Sequence, residues 1–226
     1  MSDPALVQHI AEFCTKIPSS VRIIAVTKQV SAEAMRSAYQ AGVREFGENR
    51  VQEAETKQAQ LQDLPGITWH LIGHLQSNKA QRAIEIFDWI HSVDSLKLAE
   101  RLDRLAGETN RNPQICLQVK LLPDPNKFGW EVDELLASLS ALSALEHLQI
   151  RGLMSIAPIN LDTTEILSLF QKTRELAEKI QQLGLPRIQM DQLSMGMSDD
   201  YPLAIEAGAT MIRPGRVLFG ERASGN

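Results

Sequence analysis

QLSMGMSDDYPLAIEAGATMIRPGRVLFGER, residues Gln192 to Arg222, places two small-residue turns at the ends of two apolar runs about one βα unit apart. In the first turn, Ser194 and Gly196 end a short apolar segment, and Ser198, Asp199 and Asp200 open a helix. Ser198 is the expected N-cap, with Pro202 in the first turn. In the second, the run Thr210 to Ile212 breaks into Arg213-Pro214-Gly215-Arg216, where a glycine lets backbone N–H groups approach an anion between two guanidinium groups. Two such turns on neighbouring strands are how a (β/α)8 barrel builds a phosphate site after strands 7 and 8. An ordinary pair of helix caps is the alternative.

Working back along the chain, the same alternation recurs. Strand-like runs are RIIAVTK (22–28), VREFGE (43–48), TWHLIG (68–73), FDWIHSV (87–93), ICLQVKL (115–121) and LQIRGLMSI (148–156), each followed by residues at helical spacing. With the two runs of the opening stretch they number eight, the closing number for a barrel of parallel strands. A doubly wound open sheet usually carries GxGxxG after its first strand, whereas here that strand ends in Thr27-Lys28-Gln29. Residues 3–16 have Ala5, Leu6, Ile10, Ala11, Phe13 and Cys14 at helical spacing, an extra leading helix expected to close the bottom of the barrel with Cys14 in the core. One domain spanning residues 1–226 is expected, since no linker or repeat divides the chain.

Composition narrows the function. A net charge of −5 offers no general attraction to nucleic acid or anionic membrane, so a bound anion needs a local basic site. No apolar run is long enough to span a bilayer, the N-terminus lacks a signal-peptide layout, and Cys14 and Cys116 have no metal-ligand spacing. A cytoplasmic, monomeric protein that binds no metal is expected.

Reactive groups of a barrel sit at the C-terminal ends of its strands. The polar residues that end the runs are Lys28, Asn49, His74, Lys127, Ser155, Ser194 and Arg213. Lys28 stands out because partial burial near Arg213 and Arg216 disfavours its protonated form, and a neutral amine attacks an aldehyde. A lysine snorkelling at a strand end is the plain alternative. A strand-one lysine with a phosphate site on strands seven and eight is the layout for a phosphorylated aldehyde, pyridoxal 5'-phosphate (PLP) foremost.

The stretches AVTKQV (25–30), FGENRVQE (46–53), WHLIGHLQSNK (69–79), GLMSIAP (152–158), LSMGMSDDYPLAIEAGAT (193–210) and IRPGRVLFG (212–220) are similar to the pyridoxal-phosphate homeostasis protein family, single-domain, non-catalytic relatives of alanine racemase. The resemblance covers nearly the whole chain and implies a TIM barrel of the alanine racemase N-terminal type. It implies that Lys28 holds PLP as a Schiff base. Ser194 and the backbone of Gly215 and Arg216 would hold the phosphate, Arg213 would face the pyridine nitrogen, and Asn49 would line the cofactor edge. Met154, Ser155 and Gly196 complete the expected cofactor-binding set. Thr27 stands where the family usually has serine, which keeps the hydroxyl. Lys127 resembles a family lysine proposed to act in cofactor handover, with PLP-dependent apo-enzymes as partners.

A binder with no catalytic residues is the leading expectation. Arginine cannot supply a proton at neutral pH, so a ring nitrogen facing Arg213 stays unprotonated and the ring is a poor electron sink. Racemisation by two bases needs an opposing acid/base, which alanine racemase takes from a second domain, and this sequence ends ten residues after Arg216. The rival is a single-domain PLP-dependent racemase or lyase. A barrel enzyme acting on a sugar phosphate is a third reading. His70 and His74 are expected as core or turn residues, since their spacing suits a metal pair only on a helix. Asp199 and Asp200 are expected to complement a helix dipole, and Trp69, Trp89 and Trp130 to pack.

Overall fold

A computed structural model of the protein describes residues 3–122 and 128–221. Its sheet closes on the first strand, which Ile24 divides into β1 (Arg22–Ile23) and β2 (Ala25–Val26). β1 pairs with β10 (Met211–Ile212), and β2 pairs with β3 (Glu45–Glu48). One segment thus has a neighbour on each side. Between them run β4 (Thr68–Leu71), β5 (Trp89–Val93), β6 (Gln114–Lys120), β8 (Gln149–Met154) and β9 (Ile188–Ser194), every pair parallel. The first strand and these seven make the eight-stranded barrel that the sequence predicts. Closure leaves no free edge among them. A two-residue strand, β7 (Trp130–Glu131), pairs with the end of β6 and has no counterpart in the sequence reading.

Parallel neighbours need crossovers, and helices supply them. These are α2 (Ala32–Gln40), α3 (Val51–Gln60), α4 (Ala80–Ile86), α5 (Leu96–Glu108), α6 (Val132–Ser143), α7 (Thr163–Gln182) and α8 (Tyr201–Glu206), and α9 (Arg216–Phe219) follows the last strand. The Ser31 hydroxyl accepts from Ala34 N–H at 3.2 Å, and Asp162 and Glu165 form a reciprocal capping box at the start of α7. α5 shows why such segments settle on the barrel: Leu98, Leu102 and Leu105 fall on one buried face.

The two faces of the sheet carry separate apolar clusters. Ile24, Trp89, Cys116, Met154 and Met211 form the smaller, inside the barrel, and the larger fills the layer between strands and helices. All three tryptophans are buried, as expected, and Trp130 Nε1–H donates to the Val93 carbonyl at 2.9 Å. Burial pushes the Cys116 thiol up to about 12, so it is an inert core residue.

Three local expectations are corrected. The leading helix, α1 (Pro4–Thr15), does not plug the bottom of the barrel. It lies in the helical ring against α2 and α9, and its Phe13 meets Tyr201 of α8 edge-on at 5.4 Å. The reason is length: α8 and α9 have six and four residues, too few to cover the strands they follow. Cys14 is only half-buried. The N-cap of α8 is Asp200, not Ser198, and its carboxylate accepts from Met197 N–H.

Phe13→Ala removes a ring that α1 buries against the core. It should lower stability by about 3–5 kcal/mol in urea unfolding. A helix that merely rested on the surface would lose under about 0.5 kcal/mol.

Candidate functional site

Lys28 follows β2, and the residues on either side of it are clamped from below. Thr27 N–H donates to the Gly47 carbonyl at 2.9 Å, and its hydroxyl donates to Glu48 Oε1 at 2.6 Å. Lys57 Nζ, on α3, donates to the Thr27 carbonyl, to Glu48 Oε1 at 2.8 Å and to Glu53 Oε1 at 2.6 Å. Glu53 in turn accepts from the N–H of Gln29, which is held at φ +60°. Lys57 and Glu48 are both buried, and burial raises the Glu48 carboxyl above its ordinary value while Lys57 opposes the rise. The backbone that presents Lys28 is therefore fixed by a buried ion pair.

Arg213 rises from β10 into the same region and is 3% exposed. Its Nη1 donates to Ser194 Oγ at 2.7 Å and its Nη2 to the Ser155 carbonyl at 2.9 Å. Burial lowers its pKa to about 10, which leaves it a cation at neutral pH. Its N–H donates to the Gly196 carbonyl at 2.8 Å, which ties the two turns together. Gly196 sits at φ +89°, and a Cβ there would lie 2.6 Å from Ala204 Cβ and 2.9 Å from Tyr201 Cα. Only glycine fits. The second turn is braced by Ser198, whose Oγ accepts from Gly215 N–H at 3.0 Å and Val217 N–H at 3.3 Å.

Between these elements lies a cavity of about 260 Å³ lined by Lys28, Asn49, Ser198, Asp199, Arg213, Gly215 and Arg216, with Val26, Ile72, Ile156 and Met197 as apolar walls. Arg216 is ion-paired with Asp199. Lysine and two arginines against one carboxylate make the lining cationic, so an anion is favoured there although the chain as a whole is acidic. An amine, a buried guanidinium and a small-residue turn around one cavity suit a small molecule that carries an aldehyde, a hydrogen-bond acceptor and an anionic group.

Of the expected cofactor-binding residues, Lys28, Asn49, Arg213, Gly215 and Arg216 line this cavity. Met154 is fully buried in the barrel interior, and Ser155 contributes its carbonyl to Arg213. Ser194 lies beneath the cavity, fully buried, its hydroxyl committed to Arg213 and to His91 Nδ1 at 2.7 Å. Ser198, read as a helix cap, is the serine on the wall, and it follows Ser194 within the same SMGMS turn. Asp199 pairs with Arg216 rather than a helix dipole, and Asp200 is buried, which raises its pKa. His70 is a core residue, as expected, and His74 pairs with Asp94 at 3.1 Å while stacking on Phe128. Lys127 lies outside the described residues. Among the described residues no group of three His, Cys, Asp or Glu side chains could hold a metal, and no helix is long and apolar enough to cross a membrane.

Comparison with known proteins agrees with this geometry. The family described as alanine racemase, N-terminal domain, matches residues 2–223. A pyridoxal phosphate homeostasis protein of a Synechocystis species is 48% identical over 94% of this chain and 96% of its own. One from Pseudomonas aeruginosa is 43% identical over 98% of this chain and 93% of its own. These relatives are named as homeostasis proteins rather than enzymes. Among solved structures, PipY of Synechococcus elongatus without PLP superposes with a TM-score of 0.92 at 57% identity, over 95% of this chain and 100% of that one. The same protein with PLP bound gives 0.91 at 56% identity, over the same shares of the two chains. An alanine racemase of Clostridium difficile shares the fold at 14% identity with a TM-score of 0.75, over 98% of this chain and 61% of its own.

Lys57→Met should cost about 3–5 kcal/mol, because it leaves the Glu48 carboxylate buried without its cation. Replacing Glu48 by Met as well should recover much of that loss. A double variant no more stable than the single one in urea unfolding would show that the pair is not the clamp described.

Proposed function

The chain belongs to the pyridoxal phosphate homeostasis protein family, within the alanine racemase N-terminal domain fold, and on that footing we propose that it is a non-catalytic carrier of PLP. The observation that supports this most is the buried Arg213 guanidinium beside Lys28 in one cationic cavity. PLP supplies an aldehyde that takes an amine in reversible covalent linkage. Lys28 is the amine, delivered by the clamped Thr27-Lys28-Gln29 backbone. Arg213 faces the ring nitrogen and, as a donor only, keeps it an acceptor. The phosphate falls to Ser198, to the backbone N–H of Arg216 and, once Ser198 and Asp199 release them, to the Gly215 N–H and the Arg216 side chain. Ser198 takes the hydroxyl role that the resemblance gives to Ser194, because Ser194 is spent on holding Arg213. Asn49 borders the ring, and Ile72, Ile156 and Met197 shield it from water.

No acid or base is assigned: Arg213 keeps its proton at neutral pH, and Asp199, the carboxylate among the described lining residues, is ion-paired with Arg216. The protein acts as a single domain and a monomer in the cytoplasm, taking up PLP and releasing it to PLP-dependent apo-enzymes. It thereby supports intracellular vitamin B6 and amino-acid balance.

Borohydride reduction of the PLP-loaded protein followed by peptide mass mapping should place the adduct on Lys28, and Lys28→Ala should give none. An adduct on any other lysine, Lys57 included, would overturn the assignment. In the same preparation Ser198→Ala should weaken PLP binding about ten- to a hundredfold, as expected for a hydrogen bond to a charged group. Ser198→Ala with unchanged affinity would remove Ser198 from the phosphate site.

A further inference from the structure

The buried polar groups of the barrel interior form a line that none of the binding contacts uses. Ser194 Oγ lies 2.7 Å from His91 Nδ1, and His91 Nε2 lies 3.0 Å from His70 Nδ1. His70 Nε2 lies 3.1 Å from Glu45 Oε2, too oblique for a hydrogen bond, so the carboxylate meets this ring as a charge contact. Glu45 is held by Arg22 through Nε at 3.0 Å and Nη2 at 2.6 Å. Ser194, His91 and His70 are all fully buried, and they come from β9, β5 and β4.

The two ends fix the direction of every proton between them. Arg213 can only donate, so Ser194 Oγ accepts from it. Glu45 can only accept: burial works to raise its pKa, but the close His70 ring and the Arg22 hydrogen bonds outweigh that and leave it at about 2. Burial lowers both histidines below their ordinary value, and each is neutral. A neutral His70 that presents Nε2–H to Glu45 has a bare Nδ1, which must accept from His91 Nε2–H. His91 then has a bare Nδ1, which must accept the Ser194 proton. One tautomer of each ring satisfies the line.

We propose that His70, His91 and Ser194 form a hydrogen-bonded relay, oriented by the Glu45 charge beside His70, that fixes the Arg213 guanidinium, with His91 and His70 acting as positioning residues for the cofactor's ring. Arg213 is a buried cation whose hydrogen bonds run to neutral oxygens, not to a carboxylate. Each donor in the line polarises the next, so the Ser194 oxygen becomes a better acceptor for the guanidinium than an isolated hydroxyl. Asp200 acts on the guanidinium through its charge, and Glu45 supports it from the far end of the line. The consequence for the ring rests on the reading of Arg213 as the partner of its nitrogen, while the relay itself does not.

Two measurements separate these claims. In the PLP-free protein labelled with 15N-histidine, long-range nitrogen–proton correlation at pH 7 should show His70 and His91 both protonated at Nε2 and bare at Nδ1. An Nδ1–H tautomer or an imidazolium at either ring overturns the relay, whatever the protein binds. In the PLP-loaded protein, His70→Phe keeps an aromatic ring against Trp89, where His70 stacks at 5.9 Å, and cuts the line at a residue that does not line the cavity. PLP should bind several-fold more weakly and its absorption maximum should shift, and His70→Asn should show the same two changes. Unchanged affinity and spectrum in both variants overturns the positioning role. A wild type that takes up no PLP instead overturns the carrier reading, and the tautomers still decide the relay.

Discussion

The backbone hydrogen bonds on the two sides of the first strand determine where everything else in this protein lies. On one side Arg22 N–H, Ile24 N–H and Val26 N–H donate to the carbonyls of Thr210, Ile212 and Pro214 at 2.8 to 2.9 Å. On the other, Thr27 N–H donates to Gly47. A strand paired on both edges closes the sheet, and closure brings residues from opposite ends of the sequence to one rim. Lys28 leaves the strand at that rim, where Arg213, Gly215 and Arg216 leave the last strand. Without closure the amine and the guanidinium would sit on opposite edges of an open sheet.

Two buried charges then give the rim its character, and they are treated differently. Below Lys28, the Lys57 ammonium meets Glu48 directly, and a buried pair of this kind holds geometry more than it adds stability. Arg213 donates to neutral oxygens, meets Asp200 through its charge, and borders an open cavity from which a further acceptor can reach it. A ligand that offers a ring nitrogen and an anion completes it. Because the same guanidinium cannot part with its proton at neutral pH, on the proposed reading it would bind the ring without withdrawing electrons through a protonated nitrogen. Affinity and chemical restraint follow from one residue.

The fold was legible because each strand and helix announces itself by its own spacing, and eight such units fit a closed barrel. Lys28 and Arg213 were legible as strand-end residues, and Gly215 as the glycine of the turn that follows the last strand. The choice between Ser194 and Ser198 was not, because they lie in one turn, and only the end of β9 decides that the first faces the barrel interior and the second the cavity. Lys57 was not singled out, because its spacing on α3 offers it only Glu53 one helical turn away, and nothing in the spacing shows that Glu48 and the Thr27 carbonyl lie beneath it. The relay was equally hidden, since His70, His91 and Ser194 meet only through barrel closure. The place of α1 depended on α8 and α9 being short, and the sequence patterns mark starts of helices better than lengths.

The central claim is that this site binds PLP without using it, and the exchange of an amino acid's α-proton tests that directly. The loaded wild-type protein is incubated with L-alanine in heavy water, and the α-proton is followed by proton NMR beside an equal concentration of free PLP. The account predicts no loss of signal above the rate with free PLP, because on the proposed reading a nitrogen facing Arg213 would leave the ring a poor electron sink. Rapid protein-dependent loss of the α-proton would contradict it and show that the cavity is catalytic.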